Sequence, residues 1–289
     1  GEHTDYNHGF VLPMALERET VILACPRKDR RIRAFAANLG RSTEADLDDI
    51  CRNPDEPWID YVLGVGHELQ RLGYPTIGAD ILIRGDVPIG SGLSSSASLE
   101  MAALTLFEAL GDYTVDGAEA PRLGQRVENE FLGLKTGIMD QFISRMGRAH
   151  HALFLDCRSL EYRLVPVTFR EAVFVVADTA VSRGLAASKY NERVAECAEA
   201  VRILNETLGR SATHLRDFTP EEVESGRDRM PDVVYRRARH VVMENERTRA
   251  AAAALEVGDA AALGRLMDES DRSLRDDYEV TCRELDEMT

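Results

Sequence analysis

The chain has 289 residues, with 50 acidic against 35 basic side chains, so its net charge is −15. An acidic balance of this size disfavours nucleic acid or an anionic membrane as the main partner, whereas a local donor-rich loop can still bind a phosphorylated ligand. The composition, 44% hydrophobic and 29% charged, predicts a globular core and is enough for one large domain or two ordinary ones.

No apolar run reaches the roughly 18–20 residues that a helix needs to cross a bilayer, and no signal peptide is visible. We therefore expect a cytoplasmic protein with no membrane and no nucleic-acid partner. The cysteines are odd in number, scattered and without a CxxC pair, which favours reduced thiols over disulfides or a zinc site. They are Cys25, Cys51, Cys157, Cys197 and Cys282.

Short apolar runs broken by polar residues predict three strands in the first part of the chain, at 9–14, 19–25 and 31–36. The segment WIDYVLGVGHELQRLG, at 58–73, repeats its apolar residues at helical spacing and ends on a glycine, so we predict a helix there. The segment TIGADILIRG, at 76–85, predicts another strand.

The second part of the pattern is richer in helix. The loop DVPIGSGLSSSAS is followed by the buried face of a predicted helix, from Leu99 to Leu110. Beyond it we predict helices near 119–131 and 139–147, strands at 151–156, 161–167 and 172–178, and a mostly helical chain from 186 onward that includes 232–256 and 260–275.

The glycine- and serine-rich loop is the strongest candidate binding site. Gly90 and Gly92 lack a Cβ, so the backbone can bend and approach a ligand closely. Ser94, Ser95 and Ser96 place hydroxyls at the expected helix start, where unpaired N–H groups and the helix dipole favour a phosphate and its Mg²⁺. The loop lacks the lysine of a Walker A motif. The alternative is an ordinary turn that caps a helix.

Acidic residues follow in VENEFLGLKTGIMDQF. Asp140 stands after an apolar pair and a glycine, which makes it a candidate general base, although an aspartate there can also be a helix cap. Either Glu128 or Glu130 could give an oxygen to a hard cation, and only one of them can face inward because they are two residues apart on a helix. The alternative for both is a solvated helix surface.

Six segments of the chain resemble galactokinases. The opening GEHTDYNHGFVLPMA is similar to the galactokinase signature, and VPIGSGLSSSASLEMA resembles the ATP-binding motif of the GHMP small-molecule kinases in its galactokinase form. Four further blocks resemble the family in the family's order: GIMDQF, SKYNER, RARHVVMEN and SLRDDYEVTCRELD. The resemblance runs from Gly1 to about Asp286.

The resemblance implies an α+β, two-domain GHMP kinase fold with the active site in the interdomain cleft. We expect the N-terminal domain at 1–170 and the C-terminal domain at 171–289. The family's first motif begins upstream with an arginine, and its third, glycine-rich motif lies near the C-terminus. We therefore expect the first domain to be incomplete at its start and the second at its end, and the chain alone to be poorly active.

The family phosphorylates the C1 hydroxyl of α-D-galactose with MgATP, a step of galactose catabolism. The resemblance thus implies a sugar kinase with galactose and ATP as ligands and Mg²⁺ as cofactor, present as a monomer or weak homodimer. Two alternatives stay open: another sugar-1-kinase, such as an N-acetylgalactosamine kinase, and a galactose and ATP sensor without catalysis. Such sensors lack two residues in the serine loop, and the intact Ser96-Ala97 pair favours an enzyme.

The matched motifs also imply residue roles. Asp140 matches the catalytic aspartate that accepts the C1 hydroxyl proton. Galactose contacts are expected from Glu2, His3, Asp5, Gly137, Asp140 and Tyr190. The ATP phosphates are expected on Gly90, Ser91, Gly92, Leu93, Ser94, Ser95, Ser96 and Ala97. Mg²⁺ is expected on Ser96 and Glu128.

Overall fold

A computed structural model describes residues 2–181 and 186–288, and gives only the backbone at 186–189. Contacts divide the chain into two compact units. The first, which we call the inserted unit, is Ala15–Met146. The second, the flanking unit, joins Gly1–Met14 to Gly147–Thr289. Each unit is defined by the contacts among its own residues.

The elements follow one another in chain order. The strands are β1 (Phe10–Val11), β2 (Thr20–Pro26), β3 (Arg31–Ala36), β4 (Arg41–Asp46), β5 (Ala79–Gly85), β6 (His151–Asp156) and β7 (Tyr162–Pro166). The helices are α1 (Asp60–Arg71), α2 (Ser95–Gly111), α3 (Glu119–Arg126), α4 (Met139–Met146), α5 (Ala186–Leu208), α6 (Pro220–Ser225), α7 (Asp232–Val257), α8 (Ala260–Asp276) and α9 (Arg283–Asp286). The division into domains 1–170 and 171–289 stays a prediction.

The inserted unit contains a four-stranded sheet in the order β2-β5-β3-β4. β5 is antiparallel to β2 and parallel to β3, with Ile32 opposite Ala79. Side chains alternate along β3 and β5, so Ile32 and Ile81 face the core while Arg33 and Leu82 are exposed. Leu104 and Phe107 of α2 are fully buried in the same core. Each such side chain contributes about 1.5–3 kcal/mol on burial.

At the end of α3 the chain changes from α-helical to π-helical winding. It passes directly into a π-helical turn, Val127–Phe131, which carries the first part of the acidic motif. Single π turns inside helices often mark functional sites, because the wider turn redirects side chains. α4 follows after a loop and begins at Met139, one residue before the predicted general base.

The flanking unit contains the antiparallel sheet β1-β6-β7 and the five helices α5 to α9. One of its cores lies where α5 and α7 pack together and contains the fully buried Leu204 and Ala238. A second core joins Ala152 of β6 and Val165 of β7 to Leu255 of α7. Long helices with wide buried faces are the reason the second half of the sequence shows helical periodicity.

Two strand predictions require correction. The predicted strand at 172–178 is wrong: this segment has no regular secondary structure, and Val173 and Val175 are 85% and 82% exposed. A strand needs a neighbour for its backbone hydrogen bonds, and none of the described residues pairs with this segment. The predicted strand at 9–14 shortens to β1 and a single bridge from Met14 to Ala152.

One strand, β4, was not predicted. Its sequence RSTEAD has no apolar alternation, because it lies at an edge of the sheet and only part of it is covered. Among the described residues, no helix is both long and apolar enough to cross a membrane. The expectations on location, oligomeric state and nucleic acid stay predictions.

Candidate active site

The GEHTDYN segment forms a turn that buried hydrogen bonds hold in place. The hydroxyl of the fully buried Thr4 donates to the Phe10 carbonyl at 2.6 Å. The Thr4 carbonyl accepts from the N–H groups of Asn7 and Gly9 at 3.0 and 2.9 Å. Gly9 has no space for a side chain, since an added Cβ would lie 2.4 Å from Asn245 Oδ1. The turn is therefore fixed where the predicted sugar ligands stand.

Glu2 is held through both its backbone and its side chain. Its carbonyl accepts a hydrogen bond from His240 Nε2 at 2.9 Å, and its Oε1 accepts from the Leu12 N–H at 2.9 Å. A carbonyl only accepts, so Nε2 carries the proton; His240 Nδ1 lies 2.9 Å from the Ser273 hydroxyl, which also lies 3.2 Å from Asp277 Oδ2. Complete burial lowers the pKa of His240 to about 3, so the imidazole is neutral.

His3 is surrounded by aromatic rings. Its backbone is left-handed, with φ at 56°, a conformation that residues other than glycine rarely adopt. The ring stacks on Tyr190 at 5.2 Å between centroids, and its Nδ1 lies 3.1 Å from the Tyr6 hydroxyl. Tyr6 in turn bonds to the Tyr278 hydroxyl at 2.8 Å. Burial raises the pKa of Tyr6 and Tyr278 well above 10, so both hydroxyls keep their protons.

Asp5 opens a short 3-10 turn, and its Oδ1 accepts from the Tyr6 N–H at 3.1 Å. The flanking unit thus collects acceptors and an imidazole in one turn, with Tyr190 of α5 against the imidazole. Oxygen acceptors beside an aromatic ring suit the hydroxyls and the apolar face of a sugar. Four of the sequence-predicted substrate contacts, Glu2, His3, Asp5 and Tyr190, belong to this unit.

The predicted phosphate loop lies in the inserted unit. Gly90 and Gly92 adopt φ of 76° and 82°, which glycine accepts without strain, and both are exposed. Ser94 precedes α2 with φ at 64° and makes no side-chain cap. Helix α2 has 17 residues, and its first N–H groups have no carbonyl partner within the helix. Such an uncapped end attracts an anion. Ala97 is fully buried and anchors the start of the helix.

The two predicted metal ligands are in contact with each other. Glu128, on the π turn, is 5% exposed, whereas Glu130 is exposed, so only Glu128 faces inward. Its carboxylate accepts hydrogen bonds from the hydroxyls of Ser96 and Thr136 and from Gln141 Nε2, the last at 3.2 Å. Burial is the main cause that raises the pKa of Glu128, and the hydrogen bonds oppose it.

Asp140 and Gly137 lie at the start of α4. Gly137 is buried and Asp140 half-buried. The charge of Asp140 contributes to the raised pKa of Glu128 and of Glu100, so the three carboxyl groups share one region of the inserted unit. Burial is the main cause that raises the pKa of Glu100 well above its ordinary value.

Sequence reasoning missed several members of these groups. Glu100 and Gln141 are completely buried beside the predicted metal ligand. One signal was present in the sequence: Glu100 falls on the apolar face of α2, where a carboxylate is rarely buried unless it has a polar partner. Tyr6 and Tyr278 were missed because their contact joins residues 272 positions apart, which no local pattern reveals.

Comparisons with known proteins show the family and the fold. Residues 60–148 match the family model of the GHMP kinases N terminal domain, and residues 1–26 match the galactokinase galactose-binding signature. The solved structure of Lactococcus lactis galactokinase complexed with galactose superposes with a TM-score of 0.93 at 39% identity, over 99% of this chain and 74% of that one. Methanococcus jannaschii mevalonate kinase shares the fold, with a TM-score of 0.59 at 19% identity over 100% of this chain and 78% of that one.

The fold is therefore that of the GHMP kinases, as the sequence predicted. Galactokinase of Chloroflexus aggregans is 48% identical over 288 residues, which are 100% of this chain and 73% of that protein. Galactokinase of a Roseiflexus species is 47% identical over 286 residues, or 99% of this chain and 72% of the relative. The chain belongs to the galactokinase family.

Proposed function

We propose that the protein is a galactokinase, which transfers the γ-phosphoryl group of ATP to the C1 hydroxyl of α-D-galactose. The observation that carries this proposal is the close match, over nearly the whole chain, to a galactokinase solved with galactose. The fixed turn that holds Glu2, His3 and Asp5 supports it, because these side chains can pair with a defined set of sugar hydroxyls.

Galactose is bound by Glu2, His3 and Asp5, with Tyr190 beside it; Gly137, in the inserted unit, stays a predicted contact. A buried acceptor that pairs with one hydroxyl disfavours the epimer that lacks it, because the acceptor would then lose its partner. The stacked rings of His3 and Tyr190 support this role, since a rigid imidazole presents its nitrogen in one direction.

Asp140 acts as the general base. It accepts the proton of the C1 hydroxyl while the hydroxyl oxygen bonds to the γ-phosphorus and ADP leaves. Proton transfer of this kind contributes roughly 10²- to 10⁴-fold to the rate. The half-buried position at the first turn of α4 supports this role, because the carboxylate remains accessible to a substrate.

The ATP phosphates are bound by the loop Gly90–Ala97 and the uncapped start of α2. The donor set fits Mg²⁺: Ser96 and Glu128 offer oxygen atoms, and Mg²⁺ usually takes one or two carboxylates together with substrate phosphates. No group of three or more His, Cys, Asp and Glu side chains in the described part of the chain forms a cation site alone. Bound Mg²⁺ would neutralise charge on the phosphates.

The first test is substrate-dependent ADP release by the purified protein. We expect turnover with galactose and little with N-acetylgalactosamine or arabinose. Preference for N-acetylgalactosamine would indicate a different sugar-1-kinase. Binding of galactose and ATP without ADP release would indicate a sensor.

The second test concerns Asp140. Asp140→Asn should reduce kcat by about 10²- to 10⁴-fold, because the amide cannot accept the proton. Its affinity for galactose and ATP, measured by calorimetry, should stay close to that of the wild type. Full turnover in this variant would exclude Asp140 as the base.

A further inference from the structure

Gln141 joins two acidic side chains from different elements of the inserted unit. Its side chain is completely buried. Its Nε2 donates to Glu100 Oε2 of α2 at 3.0 Å and to Glu128 Oε2 of the π turn at 3.2 Å. Because an amide NH₂ has two hydrogens, one side chain serves both carboxyl groups. The residue stands directly after Asp140, yet its side chain bonds to Glu100 and Glu128.

The pair formed by Glu100 and Gln141 has a specific chemistry. The remaining oxygen of each, Glu100 Oε1 and Gln141 Oε1, is buried without a hydrogen-bond partner among the described residues. The bond from Gln141 Nε2 to Glu100 Oε2, at 3.0 Å, is therefore the hydrogen bond that joins this pair. It fixes the Nε2 end of the amide on Glu100.

The space for this pair depends on Gly124 of α3. A Cβ added to Gly124 would lie 2.8 Å from Gln141 Cγ and 3.0 Å from Glu100 Oε2, and 2.8 Å from Met101 Cε. Three helices, α2, α3 and α4, therefore fit closely around one amide. A side chain enclosed in this way has few rotamers available, so it can fix the group to which it bonds.

The hydrogen bonds from Thr136 and Gln141 to Glu128 end on the same oxygen. Thr136 and Gln141 each donate to Oε2 and so fix the orientation of the carboxylate. Oε1 accepts neither of these two hydrogen bonds and can make another contact. Ser96 also bonds to this carboxylate, and Ser96 is itself a proposed cation ligand. A hydroxyl oxygen ligates a cation through a lone pair, so Ser96 can ligate the cation while Gln141 and Thr136 hold Oε2 of Glu128.

We propose that Gln141, held by Glu100, is a positioning residue that fixes the Glu128 carboxylate for the divalent cation. This inference rests on the proposed function, because that proposal assigns Glu128 to the cation. Gln141 does not itself touch substrate or cation. Groups that orient a metal ligand typically change metal affinity by about 10- to 100-fold when they are removed.

The test uses Gln141→Met, which keeps the length of the side chain and removes the amide. The matched control is Gln70→Met, since Gln70 lies in α1 of the same unit and donates instead to the Leu47 carbonyl and Thr76 hydroxyl at 2.8 Å. Mn²⁺ affinity is measured by EPR titration in the presence of a non-hydrolysable ATP analogue. We expect Gln141→Met to bind Mn²⁺ at least about tenfold more weakly, while Gln70→Met binds as the wild type does.

A second variant keeps the test decisive if Gln141→Met does not fold. Glu100→Gln keeps an oxygen acceptor for Gln141 Nε2 in a side chain of the same shape, and it should retain Mn²⁺ affinity within about twofold, whereas Glu100→Leu removes the acceptor and should lose that affinity. Unchanged Mn²⁺ affinity in folded Gln141→Met or Glu100→Leu would overturn the inference. The proposed function fails separately, if the wild type binds Mn²⁺ and nucleotide but does not phosphorylate galactose.

Discussion

The orientation of His3 depends on a row of hydrogen-bonded side chains in the flanking unit. Asn7 Nδ2, which only donates, lies 3.5 Å from Cys197 Sγ, and that sulfur lies 3.3 Å from the Tyr278 hydroxyl. Suppose that Cys197 donates to Tyr278, Tyr278 to Tyr6, and Tyr6 to His3 Nδ1. Each S–H and O–H group of the row then has an acceptor. We therefore expect His3 to carry its proton on Nε2.

Removing the Tyr6 hydroxyl, which contacts His3 directly, should weaken galactose binding. Tyr6→Phe deletes the partner of His3 Nδ1, so the imidazole loses both its fixed tautomer and its fixed angle. We expect an affinity for galactose about fivefold lower, or ~1 kcal/mol, as measured by calorimetry. Tyr278→Phe is the matched control, because it removes an equally buried hydroxyl but leaves the bond from Tyr6 to His3. Equal losses in both variants would contradict a direct role for the Tyr6 hydroxyl.

At the scale of elements, periodicity predicted those strands and helices that have one buried and one exposed face. β3, β5 and α1 follow this rule. β4 does not, because an edge strand has little apolar surface to cover. The valine-rich stretch at 172–178 has the residue types of a strand but no neighbouring strand among the described residues. Whether a segment forms a strand depends on a pairing partner, which the sequence of that segment does not reveal.

The same limit applies to the site. The loop from Gly90 and the carboxylate of Asp140 could be proposed from residue type and local spacing. The bridge through Gln141 could not, because it exists only where α2, α3 and α4 meet at Gly124. Contacts of this kind depend on the packing of elements far apart in sequence, which a local pattern does not contain.

The turn before β1 offers a test at this scale. Gly9→Ala would place a Cβ 2.4 Å from Asn245 Oδ1 and 2.7 Å from Thr4 Cβ, so the turn must shift. We expect a loss of about 1–3 kcal/mol in the free energy of unfolding, measured by urea denaturation, and weaker galactose binding.

Gly264→Ala is the matched control for this variant. Gly264 lies within α8 of the same unit, and nothing stands within 4 Å of an added Cβ. Alanine there should stabilise the helix by about 0.5–1 kcal/mol. A Gly9→Ala protein as stable as the wild type would show that the turn is not held as tightly as its contacts indicate.

At the scale of the molecule, each compact unit carries its own part of the proposed chemistry. The flanking unit holds the acids and rings proposed to bind the sugar, and the inserted unit holds the proposed phosphate loop, general base and cation ligands. The flanking unit is built from distant parts of the chain: Phe10 pairs with Asp156, and His240 bonds to the Glu2 carbonyl 238 positions away. Stability of this unit and geometry of the sugar-binding turn therefore depend on the same contacts.

This dependence predicts how stability changes with pH. The pKa of His240 is about 3 in the folded protein and near 6.5 in an unfolded chain. Between these values the unfolded chain binds a proton that the folded chain does not. The free energy of unfolding should therefore be unaffected by His240 above pH 6.5 and should fall as the pH decreases below it, by up to about 1.4 kcal/mol per pH unit. Asp217 and Glu279, whose pKa values are lowered to about 2, act in the same direction at lower pH.

His240→Gln isolates this contribution. The glutamine amide can still donate to the Glu2 carbonyl, but it does not titrate. Urea denaturation at pH 7, 6 and 5 should show a smaller loss of stability on acidification in the variant than in the wild type. All other titrating groups are common to both proteins, including Glu100, whose raised pKa acts in the opposite direction because its folded form keeps a proton that the unfolded form loses. Parallel pH profiles for the two proteins would mean that protonation of His240 does not cause the loss of stability at low pH.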